Sequence, residues 1–159
     1  TVAMAKFGIE LDYRVVSVVK FDESPPAMLN PVNASPVVCV ASVTWVAEGA
    51  RTSCTVRLES DGRESTGEAA GSAATVGRAR LAARAALQAM GDLLEQERAV
   101  ELVDLQVAAL AGRRAVVVLV VDTSDPAEQV LLGCALVGHE ESDAAIEAVI
   151  DSLCGRRPA

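Results

Sequence analysis

Residues 56–71 read VRLESDGRESTGEAAG, a pattern that predicts two antiparallel strands joined by a tight turn. Apolar Val56 and Leu58 alternate with polar neighbours, which indicates a β-strand with one buried face. Asp61 and Gly62 then form a dipeptide typical of a two-residue hairpin turn, because both residue types tolerate a positive φ. The polar residues after the turn predict a return strand near the edge of a sheet.

The same alternation recurs on both sides of this hairpin. After residue 36, six strands are predicted, at residues 37–47, 52–60, 63–70, 100–110, 114–121 and 129–137. Each group of three strands precedes a run with helical periodicity, in which apolar residues recur every three or four positions. Ser72 or Thr75 is predicted to cap the first helix, and the second helix is predicted to begin at a Ser142 cap and end at Gly155. The order βββα followed by βββα predicts an α+β fold.

The two βββα units match at a spacing of 63 residues. Arg51 and Arg114 lie at this spacing, each just after a predicted turn, and Leu87 and Ile150 lie at it on the two helices. The spacing predicts that Leu87 and Ile150 occupy equivalent buried positions, each facing its own three-stranded sheet. Because one unit cannot bury both its helix and its sheet, the two units are expected to fold together with pseudo-twofold symmetry.

These segments resemble a known family. LQVAALAGRRAVVVLVV (residues 105–121) and LLGCALVGHEESDAAIEAVIDSLCGRR (residues 131–157) are similar to the second unit of the C-terminal allosteric, dimer-forming domain of 2-isopropylmalate synthase, and residues 56–71 match its first unit in outline. The resemblance covers about residues 37–157. It implies tandem βββα units, a homodimer, and an effector pocket at the loops between third strand and helix. None of the catalytic barrel is included, so the resemblance does not imply synthase activity.

The chain is expected to divide into two regions. Residues 1–36 contain a valine-rich strand candidate and a proline-rich connection, since four of the six prolines fall between residues 25 and 36. Residues 37–159 are expected to form a single domain made of two units, residues 37–98 and 99–157.

Composition excludes several classes of partner. The 159-residue chain is 51% hydrophobic, and its net charge of −8 and aromatic content of 3% argue against binding to nucleic acid or anionic membranes. The longest uninterrupted apolar run, residues 115–121, is far shorter than the about 20 residues of a membrane-spanning helix. It predicts instead a central strand buried on both faces. The first residues lack a signal-peptide pattern, which predicts a cytoplasmic location.

The four cysteines, Cys39, Cys54, Cys134 and Cys154, form no C-x-x-C pair, and His139 is the only histidine. A structural zinc site needs four converging sulfur or nitrogen ligands, so neither a metal nor another cofactor is expected. Cys39 and Cys54 fall on neighbouring predicted strands but about four residues out of register, too far apart for a disulfide. We expect four reduced thiols packed as small apolar side chains.

The candidate ligand-binding residues are Gly67, Gly71, Arg78, Gly133 and His139. The three glycines and His139 are candidates because of the resemblance, which implies an effector near the loops after the third strands. Arg78 lies one turn into the first predicted helix, where outward-pointing backbone N–H groups favour a carboxylate or phosphate. A solvated helix face is the simpler interpretation of Arg78.

We therefore predict a non-catalytic regulatory domain that forms a homodimer and binds a small-molecule effector. The very apolar strands and the alanine-rich helix suit burial against a second copy. Two other interpretations stay open. One is a structural or assembly module with no ligand, and the other is a small enzyme that uses Cys134 and His139, although five residues of separation do not by themselves bring a thiol to an imidazole ring.

Overall fold

A computed structural model describes residues 36–94, 99–123 and 128–154 of the chain. The predicted N-terminal strand, most of the proline-rich connection and the glycine expected to end the last helix lie outside the described residues.

Six strands and three helices are found in the described part of the chain. They are β1 (Cys39–Glu48), β2 (Arg51–Ser60), β3 (Arg63–Gly71), α1 (Ala73–Val76), α2 (Arg78–Leu93), β4 (Val100–Leu110), β5 (Arg113–Asp122), β6 (Gln129–Leu136) and α3 (Glu141–Cys154). All six strands predicted after residue 36 are present, because apolar patterning reports the buried faces of a sheet directly.

The strands form two antiparallel sheets in which the order along the chain is also the order in space. Sheet 1 has the order β1-β2-β3, and sheet 2 has the order β4-β5-β6. Helix α2 packs on β2 and β3, α3 packs on β5 and β6, and the two helices pack on each other. The fold is therefore α+β with two βββα units, as predicted.

Tight turns with positive φ angles set the register of the hairpins. Asp61 and Gly62 have φ angles of 52° and 76°, the pair expected for a type I′ turn. Ala111 and Gly112 adopt nearly the same angles, 49° and 77°. Ala111 has a Cβ atom, so its left-handed backbone costs roughly 1–2 kcal/mol.

The first predicted helix is interrupted. The single turn α1 ends at Val76, Gly77 adopts a φ of 78°, and α2 begins at Arg78. Gly77 is the N-cap residue of α2, and no side chain caps this end. For α2, the predicted cap at Ser72 or Thr75 is wrong, because a positive φ that glycine adopts at low cost separates both residues from α2. Ser72 instead directly precedes α1, and its carbonyl accepts the backbone N–H of Val76 at 2.9 Å.

Helix α3 begins at Glu141, so the predicted cap Ser142 lies inside its first turn. The Ser142 hydroxyl donates to the carboxylate of Glu140 at 3.1 Å. Glu141 and Asp143 suit the positive end of the helix dipole. Glu141 also forms an ion pair with Arg114 at 2.6 Å, which ties the start of α3 to β5.

Each helix lies directly against a glycine in the third strand of its own sheet. A Cβ atom on Gly67 would lie 2.5 Å from the backbone nitrogen of Ala89 and closer still to the carbonyl of Ala85. On α3, a Cβ atom on Gly133 would lie 2.7 Å from the backbone nitrogen of Ser152. The close approach of helix and strand therefore requires glycine at both positions.

A matched hydrogen bond accompanies each glycine contact. The backbone N–H of Glu68 donates to Gln88 Oε1 at 3.0 Å, and the backbone N–H of Cys134 donates to Asp151 Oδ2 at 3.0 Å. Because β3 and β6 are edge strands, these helix side chains cover one exposed donor on each free edge.

The first two strands of the units correspond at a spacing of 62 residues, not 63. Arg51 is the first residue after the turn of one hairpin, and Arg113 is the first after the turn of the other. The predicted equivalence of Arg51 with Arg114 is therefore wrong by one residue, which along a strand exchanges the two faces. The correct alignment matches Val56 with Val118, both fully buried.

The spacing changes along the repeat because the turns differ in length. Gly67 and Gly133, which pair with the two matched valines, are 66 residues apart, since residues 123–128 replace the two-residue turn of the first unit. Ala85 and Ala148, which contact the two glycines, are 63 apart, so the predicted spacing holds for the helices.

Helix α2 is buried around most of its circumference. Ala85 faces sheet 1, whereas Leu87, about 200° further round the helix, lines a groove with Val100 and Leu102 of β4. Sheet 1 and the edge of sheet 2 therefore contact α2 from nearly opposite sides. The prediction that Leu87 faces its own sheet is wrong. Leu87 is buried, whereas Ile150, 63 residues later on α3, is only half-buried against the same core.

Replacing Gly67 or Gly133 by alanine is expected to destabilise the fold by about 1–3 kcal/mol, the usual cost of overpacking. Urea unfolding followed by circular dichroism measures the effect. Gly91→Ala is the matched control, because nothing lies within 4 Å of its Cβ position and removing a helical glycine stabilises by about 0.5–1 kcal/mol. Unchanged stability of both G67A and G133A would contradict the close approach.

Ala111→Asn is expected to stabilise the second hairpin by about 1 kcal/mol, because asparagine before glycine suits the two positive φ angles of the turn. The thermal unfolding midpoint of the variant should rise. Ala50→Asn is the control, since Ala50 lies in the first turn without a positive φ. An equal rise in both variants would show that turn geometry is not the cause.

Candidate functional site

The face of sheet 2 that points away from the helices is apolar. On β5 and β6, this outer face is formed by Val117, Leu119, Val121, Val130, Leu132, Cys134 and Leu136. The β6 side chains are the most exposed, with 62% of Val130, 66% of Leu132 and 51% of Leu136 accessible to solvent. Single exposed apolar residues are ordinary on a protein surface, but a contiguous apolar sheet face indicates an interaction surface.

The outer face of sheet 1 differs sharply at the corresponding positions. These positions on β2 and β3 hold Thr55, Arg57, Glu59, Glu64, Thr66, Glu68 and Ala70. Arg57 and Glu64 lie 3.7 Å apart with more than half of each side chain exposed, as expected for a solvated surface pair. The same fold therefore presents a polar outer face in one unit and an apolar outer face in the other.

The apolar face is large enough to form the core of an interface. Strand spacing and rise per residue give the two apolar strands, β5 and β6, a projected area of about 250 Å² over eight residues. A stable interface typically buries about 800 Å² on each partner, including a polar rim. Glu101 and Gln106 pair with Val121 and Val117, so β4 supplies polar residues along one side of the face.

The apolar outer face of sheet 2 is not predicted from the sequence, because the predicted central strand is interpreted as buried on both faces. Strand β5 is central, and its helix-facing residues Val116, Val118 and Val120 are fully buried. The residues between them are only half-buried. Aligning the units by strand, which matches Thr66 with Leu132, would have revealed the difference between the two outer faces.

Two of the five candidate ligand-binding residues lie beneath helices. Gly67 and Gly133 are buried in the middle of β3 and β6, where helix backbone occupies the space next to them. Both glycines lie within the third strands, as the predicted strands 63–70 and 129–137 require, and not in the loops that follow Gly71 and Leu136. Their geometry gives them a packing role.

The other three candidates lie nearer the loops. Gly71 ends β3, with its Cβ position 3.2 Å from the Leu81 side chain. Arg78 is exposed at the start of α2, and its guanidinium carbon lies 5.0 Å from the ring centroid of Trp45, a cation–π contact. His139 is exposed in the bend between β6 and α3. Their role in ligand binding stays a prediction.

Arg78, Arg80 and Arg84 lie in the first half of α2, and each has a different environment. Arg80 donates to Asp104 Oδ1 at 3.0 Å, linking α2 to β4. Hydrogen bonds from Gln106, from the backbone of Leu105 and from Arg80 hold the pKa of Asp104 below its usual value. Arg84 is exposed and lines the groove beside β4.

That groove is an open cavity of about 480 Å³ between α2 and the first residues of β4. Its volume is within the range of about 300–1,000 Å³ typical of ligand pockets. Apolar Leu87 and Leu102 line it together with the polar residues Arg84, Gln88 and Glu101. No sequence motif marked this groove, because it depends on how sheet 2 packs on a helix of the first unit.

The cysteines occupy three environments rather than one. Cys54 is fully buried, and burial raises the pKa of its thiol to about 11. Cys154 is half-buried, and its pKa is raised, mainly by burial and to a smaller extent by the negative charge of Asp151. Cys39 and Cys134 are exposed, so the prediction that all four thiols are packed inside is wrong for these two.

Cys134 and His139 lie on different parts of the second unit. Cys134 pairs with Val117 on the outer face of sheet 2, whereas His139 lies beyond the end of β6 on the way to α3. No hydrogen bond joins the two side chains in the described ranges. The arrangement gives no support to a cysteine–histidine dyad.

Among the described residues, no group of three or more histidine, cysteine, aspartate or glutamate side chains is arranged to hold a metal ion. Within the same residues, no helix is both long and apolar enough to cross a lipid bilayer.

No protein-family model matches the chain, and no curated protein matches it in sequence. The resemblance to the allosteric domain of 2-isopropylmalate synthase therefore stays a prediction.

The free energy of unfolding is expected to fall as the pH rises from 9 to 11. In this window an unfolded Cys54 thiol, with a pKa of 9.0, loses its proton, whereas the folded thiol, with a pKa of about 11, keeps it. Urea unfolding at several pH values measures the slope. Cys54→Ala should make the slope shallower, and an identical slope in wild type and variant would contradict the assignment.

Proposed function

We propose that this chain is a non-catalytic dimerisation domain of the regulatory type, and that two copies pack through the outer face of sheet 2. The observation that supports the proposal is the contrast in polarity between corresponding positions on the outer faces of the two sheets. Thr55, Arg57 and Thr66 of the first unit correspond to valine, leucine and leucine in the second. Because both units use the same backbone, fold stability alone does not require this substitution of apolar for polar residues.

A second copy of the chain fits the chemistry of this face. Its seven side chains carry no charge, and two such faces pack as aligned sheets about 10 Å apart, as in a β-sandwich. A twofold axis would bring each face against itself, so one patch satisfies both partners. The net charge of −8 disfavours contact through the charged outer face of sheet 1.

The regulatory part of the proposal concerns a small-molecule effector, bound either near the start of α2, at Gly71 and Arg78, or near the start of α3, at His139. A thermal-shift screen with amino acids and nucleotides tests it, because a ligand that binds the native state alone raises the unfolding temperature. A ligand whose effect is lost in Arg78→Ala or His139→Ala would support a sensing domain. Absence of any shift across the screen would favour the alternative, an assembly module without a ligand.

Leu132→Asp is expected to convert a dimer into a monomer, because it places a buried charge on both sides of the proposed interface. Sedimentation velocity at 1–100 μM is the measurement, and the dissociation constant should rise at least tenfold as an order-of-magnitude expectation. Thr66→Asp is the matched control, since Thr66 occupies the corresponding position on sheet 1.

Three results would contradict this interface. They are a wild-type protein that sediments as a monomer throughout the concentration range, a T66D variant that dissociates as L132D does, and an L132D variant that remains dimeric. Circular dichroism of both variants checks that each one retains the fold.

A further inference from the structure

The edge of β4 beside the groove has backbone groups that pair with no other strand of the described residues. The carbonyl of Ala99 accepts the backbone N–H of Thr123 at 2.9 Å, which identifies these two residues as a hydrogen-bonded pair of the antiparallel ladder. Pairs in such a ladder alternate, so Val100 and Leu102 direct their N–H and C=O groups away from β5. Because β4 is an edge strand, no strand of the described chain pairs with these groups.

Helix α2 forms the floor of the groove next to this edge. Arg84, Gln88 and Gly91 lie along its exposed side, opposite Val100 and Leu102. Nothing lies within 4 Å of the position that a Cβ atom on Gly91 would take, so the floor is open there. The groove therefore combines a free strand edge with an adjacent helix face.

The opposite end of the contact is closed. The ion pair between Arg80 and Asp104 ties α2 to β4 at 3.0 Å, and the register of β4 shifts between Leu102 and Asp104. A β-bulge of this kind ends regular pairing along an edge. The open edge is therefore limited to the first residues of β4. A short partner strand fits this length better than a whole sheet does.

We propose that this groove binds an extended peptide, which adds to sheet 2 as a strand beside β4. Main-chain groups of the peptide would pair with the outward N–H and C=O groups of Val100 and Leu102, the mode known as β-augmentation. Apolar peptide side chains would contact Leu87 and Leu102 on the side facing α2. A small molecule without a peptide backbone would leave the strand edge unpaired.

The charges beside the groove define the peptide further. Arg84 has no carboxylate partner within the described residues, and it lies on the helix side of the groove. Glu101 pairs with Val121, so it lies on the outer side of sheet 2. Successive side chains of a strand point to opposite faces. The peptide should therefore carry an acidic residue directed at Arg84 and, next to it in sequence, a basic residue directed at Glu101.

The experiment begins with selection of phage-displayed random decapeptides on the full chain, and the enriched peptide is then made synthetically. Binding to wild type and to four variants is measured by fluorescence anisotropy. Val100→Pro removes an outward N–H without removing a ladder bond to β5, and Val100→Ala is its control. Arg84→Gln removes the floor charge, and Glu147→Gln at the corresponding position of α3 is its control.

The proposal predicts a peptide with adjacent acidic and basic residues whose affinity falls at least about tenfold in V100P and R84Q and is unchanged in V100A and E147Q. In wild type, the amides of Val100 and Leu102 should gain protection from hydrogen exchange when the peptide binds, a readout that does not depend on V100P folding. The proposal is overturned if no peptide is enriched, if affinity survives in V100P, or if protection appears elsewhere than at β4.

Discussion

The close contact of each helix with a glycine of the third strand is the constraint on which the rest of the structure depends. Gly67 and Gly133 allow helix backbone to approach the sheet where any side chain would collide. This approach fixes which face of each helix is turned to its own sheet, and the Gln88 and Asp151 side chains then bond the next backbone N–H. The opposite side of α2 is left to contact β4, which joins the two units into one core.

The two units share this architecture but differ in the surface that each presents. Residues that face the helices are mostly apolar in both, because they form the common core. The outer faces are free of that requirement, and they are polar in sheet 1 and apolar in sheet 2. A repeated fold thus separates the residues needed for folding from those available for partners. Dimerisation through one outer face and peptide binding at the β4 edge would use different parts of sheet 2.

Much of this fold is predictable from local sequence patterns. Alternation predicts all six strands, and Asp61 with Gly62 predicts a type I′ turn that the structure confirms. The sequence predicts a single repeat spacing of 63 residues, because apolar matches between the two helices dominate the comparison in an alanine-rich chain. The strands follow spacings of 62 and 66, since turn lengths and the break at Gly77 do not appear in apolar periodicity. The candidate surface and groove were missed because both depend on packing between units, and no motif encodes that packing.

Alkylation of Cys134 tests most directly the claim that the outer face of sheet 2 is covered by a second copy. Cys134 lies on this face, and Cys39, which pairs with Glu59 on the outer face of sheet 1, is an exposed internal reference. Labelling with N-ethylmaleimide, followed by peptide mass spectrometry, gives the ratio of the two rates. If a second copy covers this face, the labelling rate of Cys134 falls relative to that of Cys39 as protein concentration rises through the dimerisation range. A ratio that stays constant from nanomolar to high micromolar concentration would contradict it.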